Sequence, residues 1–171
     1  FVAYLVVMLD VHYPIGISSS RTKLMRDLDQ PGRSAAIAEN GMAATSHPDA
    51  TLTAVDVLRN GGNAVDAAIA AVAVLGVVES AMTGVGGDCF VLYSPKRGKP
   101  VALNGSGRAP RKATVGWFQE QGIVEIDPNT AHAVTIPGAV DAWCCLLEDY
   151  GTKGLDELLR PAIDKAEKGY R

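Results

Sequence analysis

The chain has 171 residues, of which 47% are hydrophobic and 20% charged, a composition typical of a globular protein with one sizeable core. Its formal net charge is -3, and its basic residues are scattered without interleaved aromatic side chains, which argues against a nucleic-acid surface. Three cysteines, Cys89, Cys144 and Cys145, show no metal-ligand spacing, so neither a zinc site nor a disulfide framework is expected. A reducing compartment, the cytoplasm, fits this cysteine usage best.

The chain opens with FVAYLVVML, an apolar run that ends at Asp10. No basic residue precedes the run, no small-residue cleavage site follows it, and it is too short to span a bilayer. We interpret residues 1–40 as an N-terminal arm or leader that is poorly ordered. If the run is instead the remnant of a signal peptide, the protein is periplasmic or secreted. Because the chain starts at Phe1 and stops directly after a helical pattern, we interpret residues 41–171 as part of a longer domain.

The first predicted elements are a strand and a helix. Residues 41–46 (GMAATS) predict a short buried strand, because the residue before a proline, here His47 before Pro48, is disfavoured in helices. An amphipathic helix follows, and Gly61-Gly62 can supply the left-handed conformation that ends it. Its apolar residues recur every three positions, at Leu52, Val55 and Leu58.

A second helix is predicted from its cap and its composition. Asn63 can cap it, and Asp66 would lie near the exposed amides of its first turn. The following residues, 67–78 (AAIAAVAVLGVV), carry no charge, and they are too few for a membrane span. We therefore expect this helix in the middle of a layered domain, contacted on all sides.

The strands of the second half are predicted from short β-type runs. Residues 89–94 (CFVLYS) and 100–104 (PVALN) predict a hairpin with Gly98 in its turn. Residues 133–137 (AVTIP) predict another strand.

The run GVGGD, which contains Gly84, Gly86 and Gly87, is interpreted as a structural turn. Its spacing matches neither a dinucleotide fingerprint nor a P-loop. Glycines allow backbones to approach closely, so we expect a side chain at Gly86 or Gly87 to be obstructed.

Two helices are predicted near the end of the chain. Pro137-Gly138 opens the first, which ends at Gly151. Its neighbouring Cys144 and Cys145 are expected in the core, where free cysteine is commonly buried. The pattern LDELLRPAIDKAEKG predicts a broken helix in which Pro161 starts a new first turn. The whole order of elements indicates an α+β layered fold whose sheet is incomplete in this chain.

One hydroxyl and one imidazole lie side by side in Ser46-His47 and suggest a nucleophile with its base. Adjacent residues of a strand point to opposite faces, however, and no third group orients the pair. A structural role is therefore favoured for His47.

Five blocks of sequence together resemble the first part of the gamma-glutamyltranspeptidase family, in the family's order and with close to its spacing. They are GMAATSHPDAT, LRNGGNAVDAAIAA, VVES…TGVGGDCF, the RAP segment and TIPGAVDAW…YG…LLRPAIDKAEKGY. The resemblance implies an N-terminal-nucleophile hydrolase with stacked α, β, β and α layers. Such proteins are made as one precursor that cleaves itself into two subunits. The new N-terminal threonine of the small subunit attacks an amide and forms an acyl-enzyme.

The family's threonine motif has no counterpart in this sequence. The resemblance therefore implies that the chain belongs to the large subunit, holds no catalytic residue, and has its nucleophile beyond residue 171. The small catalytic subunit of the same precursor would be its partner, and higher oligomers are compatible with this reading. No cofactor and no metal are implied. The alternative is a non-catalytic or unprocessed homologue, or a structural fragment without activity.

The segment LNGSGRAP bears on the substrate. Typical family members have a D-x-R-E-x-A-P pattern, whose arginine holds the α-carboxylate of a glutamyl group by paired hydrogen bonds. Aligned on Ala109-Pro110, that place is held by Ser106, and Arg108 follows two residues later. Residues two apart in a strand share a face, so Ser106 and Arg108 are the substrate-binding candidates, with Arg108 facing a substrate carboxylate.

The glycine run departs from the usual members as well, since Asp88-Cys89 stands where they have two glycines. The sequence looks more like the gamma-glutamyltransferase-like branch of the family, which includes oxamate amidohydrolase. Glutamyl specificity therefore stays open at this point.

Overall fold

The computed structural model describes residues 36–170, which combine helices with one hairpin. In chain order the elements are α1 (Pro48–Arg59), α2 (Ala64–Val78), β1 (Cys89–Tyr93), β2 (Val101–Gly105), α3 (Val115–Glu120), a 3-10 turn (Ala131–Ala133), α4 (Ala139–Tyr150) and α5 (Leu155–Lys168). The mixture of helices and strands agrees with an α+β class. Most of the arm predicted over residues 1–40 lies outside the described residues. Within them, no helix combines the length and apolarity that a membrane span requires.

Helix α2 forms the centre of the described fold, as its composition predicts. Ile69 and Val74 are only 2% and 0% exposed, and Asp66 is the one buried charged residue along this helix. Helices α1, α4 and α5 all contact α2, while one face of the hairpin packs against the same core. The many alanines of α2 lack bulky side chains, so these neighbours can approach its backbone closely.

The start of α2 is capped as predicted. The side chain of Asn63 accepts hydrogen bonds from the Val65 and Asp66 amides at 2.8 and 3.1 Å, and the Asp66 carboxylate accepts one from the Asn63 amide at 2.8 Å. Reciprocal bonds of this kind satisfy amides that the helix itself leaves unpaired.

Asp66 also links α2 to the connection between α4 and α5, a function that its place in the cap does not predict. Its carboxylate accepts from the Thr152 amide and hydroxyl at 3.0 and 2.5 Å, and from the Lys153 amide at 3.3 Å. Burial opposes its charge, but the hydrogen bonds from Thr152, Asn63 and Lys153 outweigh burial and hold the pKa of Asp66 below its usual value.

The predicted hairpin is confirmed, with Gly98 at a φ of 120° in its connection. The pairs Val91 with Leu103 and Tyr93 with Val101 face the helices, and Val91, Tyr93 and Leu103 pack against the core. Leu92, on the opposite face, is 72% exposed. Within residues 36–170, β1 and β2 make up the only sheet, so this outer face has no covering layer there.

Two strand predictions are wrong. Residues 41–46 and 133–137 form no strand ladder, and Ala133 instead ends the 3-10 turn. Val134 in the second segment has an extended backbone, as does His47 directly after the first segment. A strand needs a partner as well as a suitable backbone, and local composition does not supply one.

The last helix is continuous, so the predicted break at Pro161 is wrong. Proline removes one hydrogen bond of the helix ladder, but the flanking Leu158 and Ala162 are 1% and 7% exposed and belong to the core. Packing of α5 on α2 therefore outweighs the local preference of proline.

The prediction that Cys144 and Cys145 are buried is also wrong, because both are exposed. The buried residues of α4 follow a helical period that leaves these two positions on the outer side: Ala139, Ala142, Trp143 and Leu146. Helix α1 shows a similar difference, since Leu52 is 56% exposed while the small residues Ala50 and Ala54 are buried.

Candidate functional site

Three segments of the chain meet at the open end of the hairpin. The last register pair, Cys89 with Gly105, brings Asp88 alongside Ser106 at the ends of the two strands. The hydroxyl of Thr135 lies between them, 3.2 Å from the Ser106 carbonyl oxygen and 3.4 Å from Oδ1 of Asp88. The glycine turn, the end of β2 and the segment that precedes α4 therefore lie next to one another.

Backbone hydrogen bonds hold these segments together. The Gly138 and Ala139 amides both donate to the Gly87 carbonyl, at 3.2 and 3.1 Å, which satisfies amides at the start of α4. The Ile136 amide donates to the Arg108 carbonyl at 2.9 Å. The positions of Gly87 and Arg108 relative to α4 are thus fixed by main-chain contacts and not by side chains.

Glycine is required where these backbones cross. Gly107 has a φ of 74°, and a Cβ there would lie 1.9 Å from the Ile136 carbonyl oxygen. A Cβ on Gly138 would lie 2.5 Å from the Gly105 oxygen, and a Cβ on Gly105 would lie 2.6 Å from that of Ala142. The sequence analysis did not predict that backbones approach closely at Gly105, Gly107 and Gly138. The glycine-containing runs NGSG and PG are the sequence signal that could have indicated it.

The predicted glycine turn is present, but its predicted obstruction is not. The Gly87 amide donates to the Gly84 carbonyl at 3.2 Å, which closes the turn. A Cβ on Gly84 or Gly86 would meet no heavy atom of the described residues within 4 Å, and one on Gly87 would make an ordinary contact at 3.4 Å. Gly84, Gly86 and Gly87 instead line a cavity of about 250 Å³, together with Asp88, Phe90 and residues 133–135.

The two residues selected as substrate-binding candidates lie at this end of the hairpin. Arg108 is exposed, and within residues 36–170 its guanidinium takes part in no ion pair. Ser106 is half-buried, and its amide donates to Oδ1 of Asn104 at 3.1 Å. Arg108 is therefore available to an anionic ligand, whereas the neutral Ser106 can contribute at most single hydrogen bonds.

His47 has the structural role favoured by the sequence. Its Nδ1 accepts from the Asp49 amide at 3.2 Å and caps α1. Ser46 does not face it, because its hydroxyl donates to Glu79 at 2.5 Å. His132 packs edge-on against Trp117 and Phe118, with ring centroids 5.6 and 5.7 Å apart.

Cys89 is the remaining nucleophilic side chain near this place. Burial raises the pKa of its thiol, so little thiolate forms at neutral pH. No cluster of three or more potential metal ligands occurs among residues 36–170.

Comparisons with known proteins agree on one family. The family model described as Gamma-glutamyltranspeptidase matches residues 50–171. A glutathione hydrolase-like YwrD proenzyme of Bacillus subtilis is 38% identical over 130 residues, which cover 75% of this chain and 25% of that protein. An oxamate amidohydrolase proenzyme of Klebsiella pneumoniae is 36% identical over 140 residues, covering 78% of this chain and 26% of its own length.

Two solved structures extend the similarity to the fold. The crystal structure of a cephalosporin acylase from Bacillus halodurans superposes with a TM-score of 0.75 and 44% identity, covering 84% of this chain and 27% of the acylase. The crystal structure of a gamma-glutamyltranspeptidase from Helicobacter pylori superposes with a TM-score of 0.73 and 38% identity, covering 80% of this chain and 40% of that chain. The chain thus spans about a quarter of the length of the first three of these relatives. Their names mention glutathione, oxamate and cephalosporin respectively, although their identities to this chain are similar.

Proposed function

Because this chain belongs to the gamma-glutamyltranspeptidase family, we propose that it is a large-subunit segment of an amide hydrolase or acyltransferase made as a proenzyme. In the proposed reaction, an N-terminal threonine outside residues 1–171 attacks the amide carbonyl of the substrate. The amine leaves as it takes up a proton, and the resulting ester passes its acyl group to water or to an acceptor amine. The chain's own contribution is to bind and orient the substrate.

We propose further that the described elements are part of an N-terminal-nucleophile fold with α, β, β and α layers, with residues 41–171 as the first part of that domain. The exposed outer face of the hairpin supports this proposal, because Leu92 and its neighbours would be covered by a second sheet. Helix α2 and its neighbours would then form one outer helical layer. The rest of the precursor, including the small catalytic subunit, would supply the other layers.

The observation that carries the substrate proposal is the exposed guanidinium of Arg108 at the open end of the hairpin, which makes no ion pair within residues 36–170. Arginine can bind a carboxylate through two parallel hydrogen bonds, and Ser106, at the place of the usual family arginine, has neither the charge nor the donors to do so. The backbone bond from Ile136 fixes the carbonyl of Arg108 and thereby the start of its side chain. We therefore propose an amide with a carboxylate as the substrate.

The experiment uses the full-length processed protein and two amides that differ only in a carboxylate, glutaramate and butanamide. Replacement Arg108→Ala should raise KM for glutaramate about 10- to 150-fold, equivalent to roughly 1.5–3 kcal/mol for one charge-assisted pair, and should leave butanamide almost unchanged. Arg111→Ala removes an equal charge from the exposed neighbouring turn and is the matched control. Equal losses on both amides would show that Arg108 supports the loop instead of binding the carboxylate.

The alternative is a homologue that is never processed and has no activity. Gel electrophoresis of the purified full-length protein tests it directly, because self-cleavage replaces one band by two. A protein that remains one band and hydrolyses neither amide would contradict the enzyme proposal.

A further inference from the structure

The outer side of α4 carries two neighbouring thiols that have no part in the proposed reaction. Cys144 and Cys145 are both free and both exposed. The backbone between them is anchored, because Trp143 and Leu146 on either side of the pair are 3% and 6% exposed and belong to the core. The two thiols therefore start from fixed positions on one helix, while their exposed side chains can turn about χ1 without disturbing the packing.

Helical geometry prevents these two thiols from forming a disulfide with each other. Consecutive Cα atoms are about 3.8 Å apart across a trans peptide, whereas the Cα atoms of a disulfide are usually about 4.4–6.8 Å apart. An oxidant therefore cannot join Cys144 to Cys145 without disrupting α4. A single larger atom between the two sulfur atoms lengthens the bridge and relieves this restriction.

Three carboxylates share this side of α4 with the thiols. Asp141, Glu148 and Asp149 are exposed, and the ion pairs found within residues 36–170 include none of them. Unpaired carboxylates are rarely buried, so this side of the helix suits solvent. Partial desolvation and the three carboxylates raise the pKa of the Cys145 thiol, which stays protonated at neutral pH. Their negative charge repels anionic thiol reagents but not a neutral one.

The number of sulfur atoms limits which thiophilic ligand fits this pair. A structural zinc site has four protein ligands, and no group of three or more potential metal ligands is present among the described residues 36–170. Trivalent arsenic with one organic substituent needs only two sulfur atoms to complete its three bonds. It is also a soft centre, which sulfur ligands favour, and its oxide is neutral.

We propose that Cys144 and Cys145 together form a dithiol site for neutral trivalent arsenicals. With phenylarsine oxide, each sulfur atom forms a bond to arsenic as the arsenic-oxygen bond breaks. The two thiol protons leave with that oxygen as one water molecule, so arsenic stays trivalent and no oxidant or reductant is needed. The second sulfur atom binds within the same molecule, which makes the adduct much tighter than one with a single thiol. The pair would bind arsenicals whether or not the proposed amide reaction takes place.

The test treats the native full-length protein with phenylarsine oxide and locates the adduct by peptide mass spectrometry. We expect one arsenical on the peptide that contains α4, with Cys144 and Cys145 both protected from N-ethylmaleimide. An excess of the monothiol 2-mercaptoethanol should leave this adduct in place, whereas 2,3-dimercaptopropanol should remove it. Cys144→Ser and Cys145→Ser should each weaken binding of phenylarsine oxide to this peptide about 100-fold or more, because each leaves a single sulfur atom.

A third variant separates the pair from the other thiol of the described chain. Cys89→Ser removes a half-buried thiol at the start of β1 and should leave the adduct on α4 unchanged. Circular dichroism should show the same helix content in all three variants and the wild type. An adduct that either single variant on α4 retains at full affinity, or that 2-mercaptoethanol removes from the wild type, would overturn the proposal. A native wild-type protein that takes up no arsenical on this peptide would overturn it as well.

Discussion

Removal of the Asp66 carboxylate should destabilise the protein strongly, because this residue joins the start of α2 to Thr152 and Lys153, which lie far along the chain. Asp66 is fully buried and accepts four hydrogen bonds, from Asn63, Lys153 and two groups of Thr152. In Asp66→Ala, the amide and hydroxyl of the exposed Thr152 can form hydrogen bonds with water instead. The amides of the half-buried Asn63 and Lys153 lose their acceptor. At roughly 1–3 kcal/mol for each buried donor left unpaired, the free energy of unfolding should fall by about 2–6 kcal/mol.

The pH dependence gives a second, independent check of the same interaction. The folded state lowers the pKa of Asp66, so the charge stabilises the fold above the unfolded pKa, about 3.9, and this stabilisation is lost as the pH falls through the folded value. The gap in stability between wild type and Asp66→Asn should therefore be constant near neutral pH and should shrink below about pH 4.

Urea unfolding of the full-length protein, followed by circular dichroism at several pH values, measures both effects. Asp56→Asn is the matched control, because Asp56 is exposed and its ion pair with Arg59 is long, at 3.6 Å. We expect this control to change the free energy of unfolding by less than about 1 kcal/mol. A loss in Asp66→Ala no larger than that of the control, or a gap that persists unchanged in acid, would refute the reasoning.

Two further predictions concern glycines and cysteines, in addition to the Arg108 variant described above. Gly107→Ala and Gly138→Ala should greatly reduce the yield of soluble, processed protein, because each Cβ would lie within 2.5 Å of a carbonyl oxygen, whereas Gly86→Ala should be produced normally; comparable yields from all three variants would contradict this. Partial desolvation by the surrounding helix and the neighbouring Asp141, Glu148 and Asp149 carboxylates raise the pKa of the exposed Cys145 thiol. Its alkylation by iodoacetamide at pH 8 should therefore be slow and should accelerate in Asp141→Asn, as peptide mass spectrometry can measure. An unchanged rate in that variant would show that the carboxylate does not affect the thiol.

Local signals in the sequence were sufficient for the elements that depend on local interactions. The cap formed by Asn63 and Asp66, the uncharged length of α2 and the glycine of the hairpin connection all act within a few residues. Their physical causes are therefore contained in short stretches of sequence. The confirmed elements are those that a cap, a turn or a continuous apolar run specifies.

The wrong predictions share a dependence on partners that lie elsewhere in the chain. Residues 41–46 and 133–137 have residue types found in strands, but a ladder requires a second strand at the correct position. Pro161 is accommodated because Leu158 and Ala162 pack on α2. The exposure of Cys144 and Cys145 is different, because the helical period of α4 is itself a local signal and already separates these positions from the buried Ala142, Trp143 and Leu146.

In the candidate site, too, some features follow from the sequence and others depend on contacts between distant segments. The sequence identifies Arg108 and Ser106 through a resemblance, and the structure places both at the open end of the hairpin. The contacts of the Thr135 hydroxyl with Asp88 and with the Ser106 carbonyl could not be predicted, because they join segments that lie 47 and 29 residues apart in the chain. The crossing at Gly107 and Gly138 likewise depends on contacts between segments about thirty residues apart.

The glycine crossing has a consequence for engineering new substrate preferences in this scaffold. Gly105, Gly107 and Gly138 leave no room for side chains, so a mutant library that includes them would consist largely of misfolded protein. Positions 106 and 108 flank Gly107, and position 88 directly precedes Cys89, which pairs with Gly105 in the hairpin. Their side chains extend from a framework held by main-chain bonds. A small library limited to these three positions should sample many ligand chemistries while retaining one backbone, which makes it an economical starting point for directed evolution.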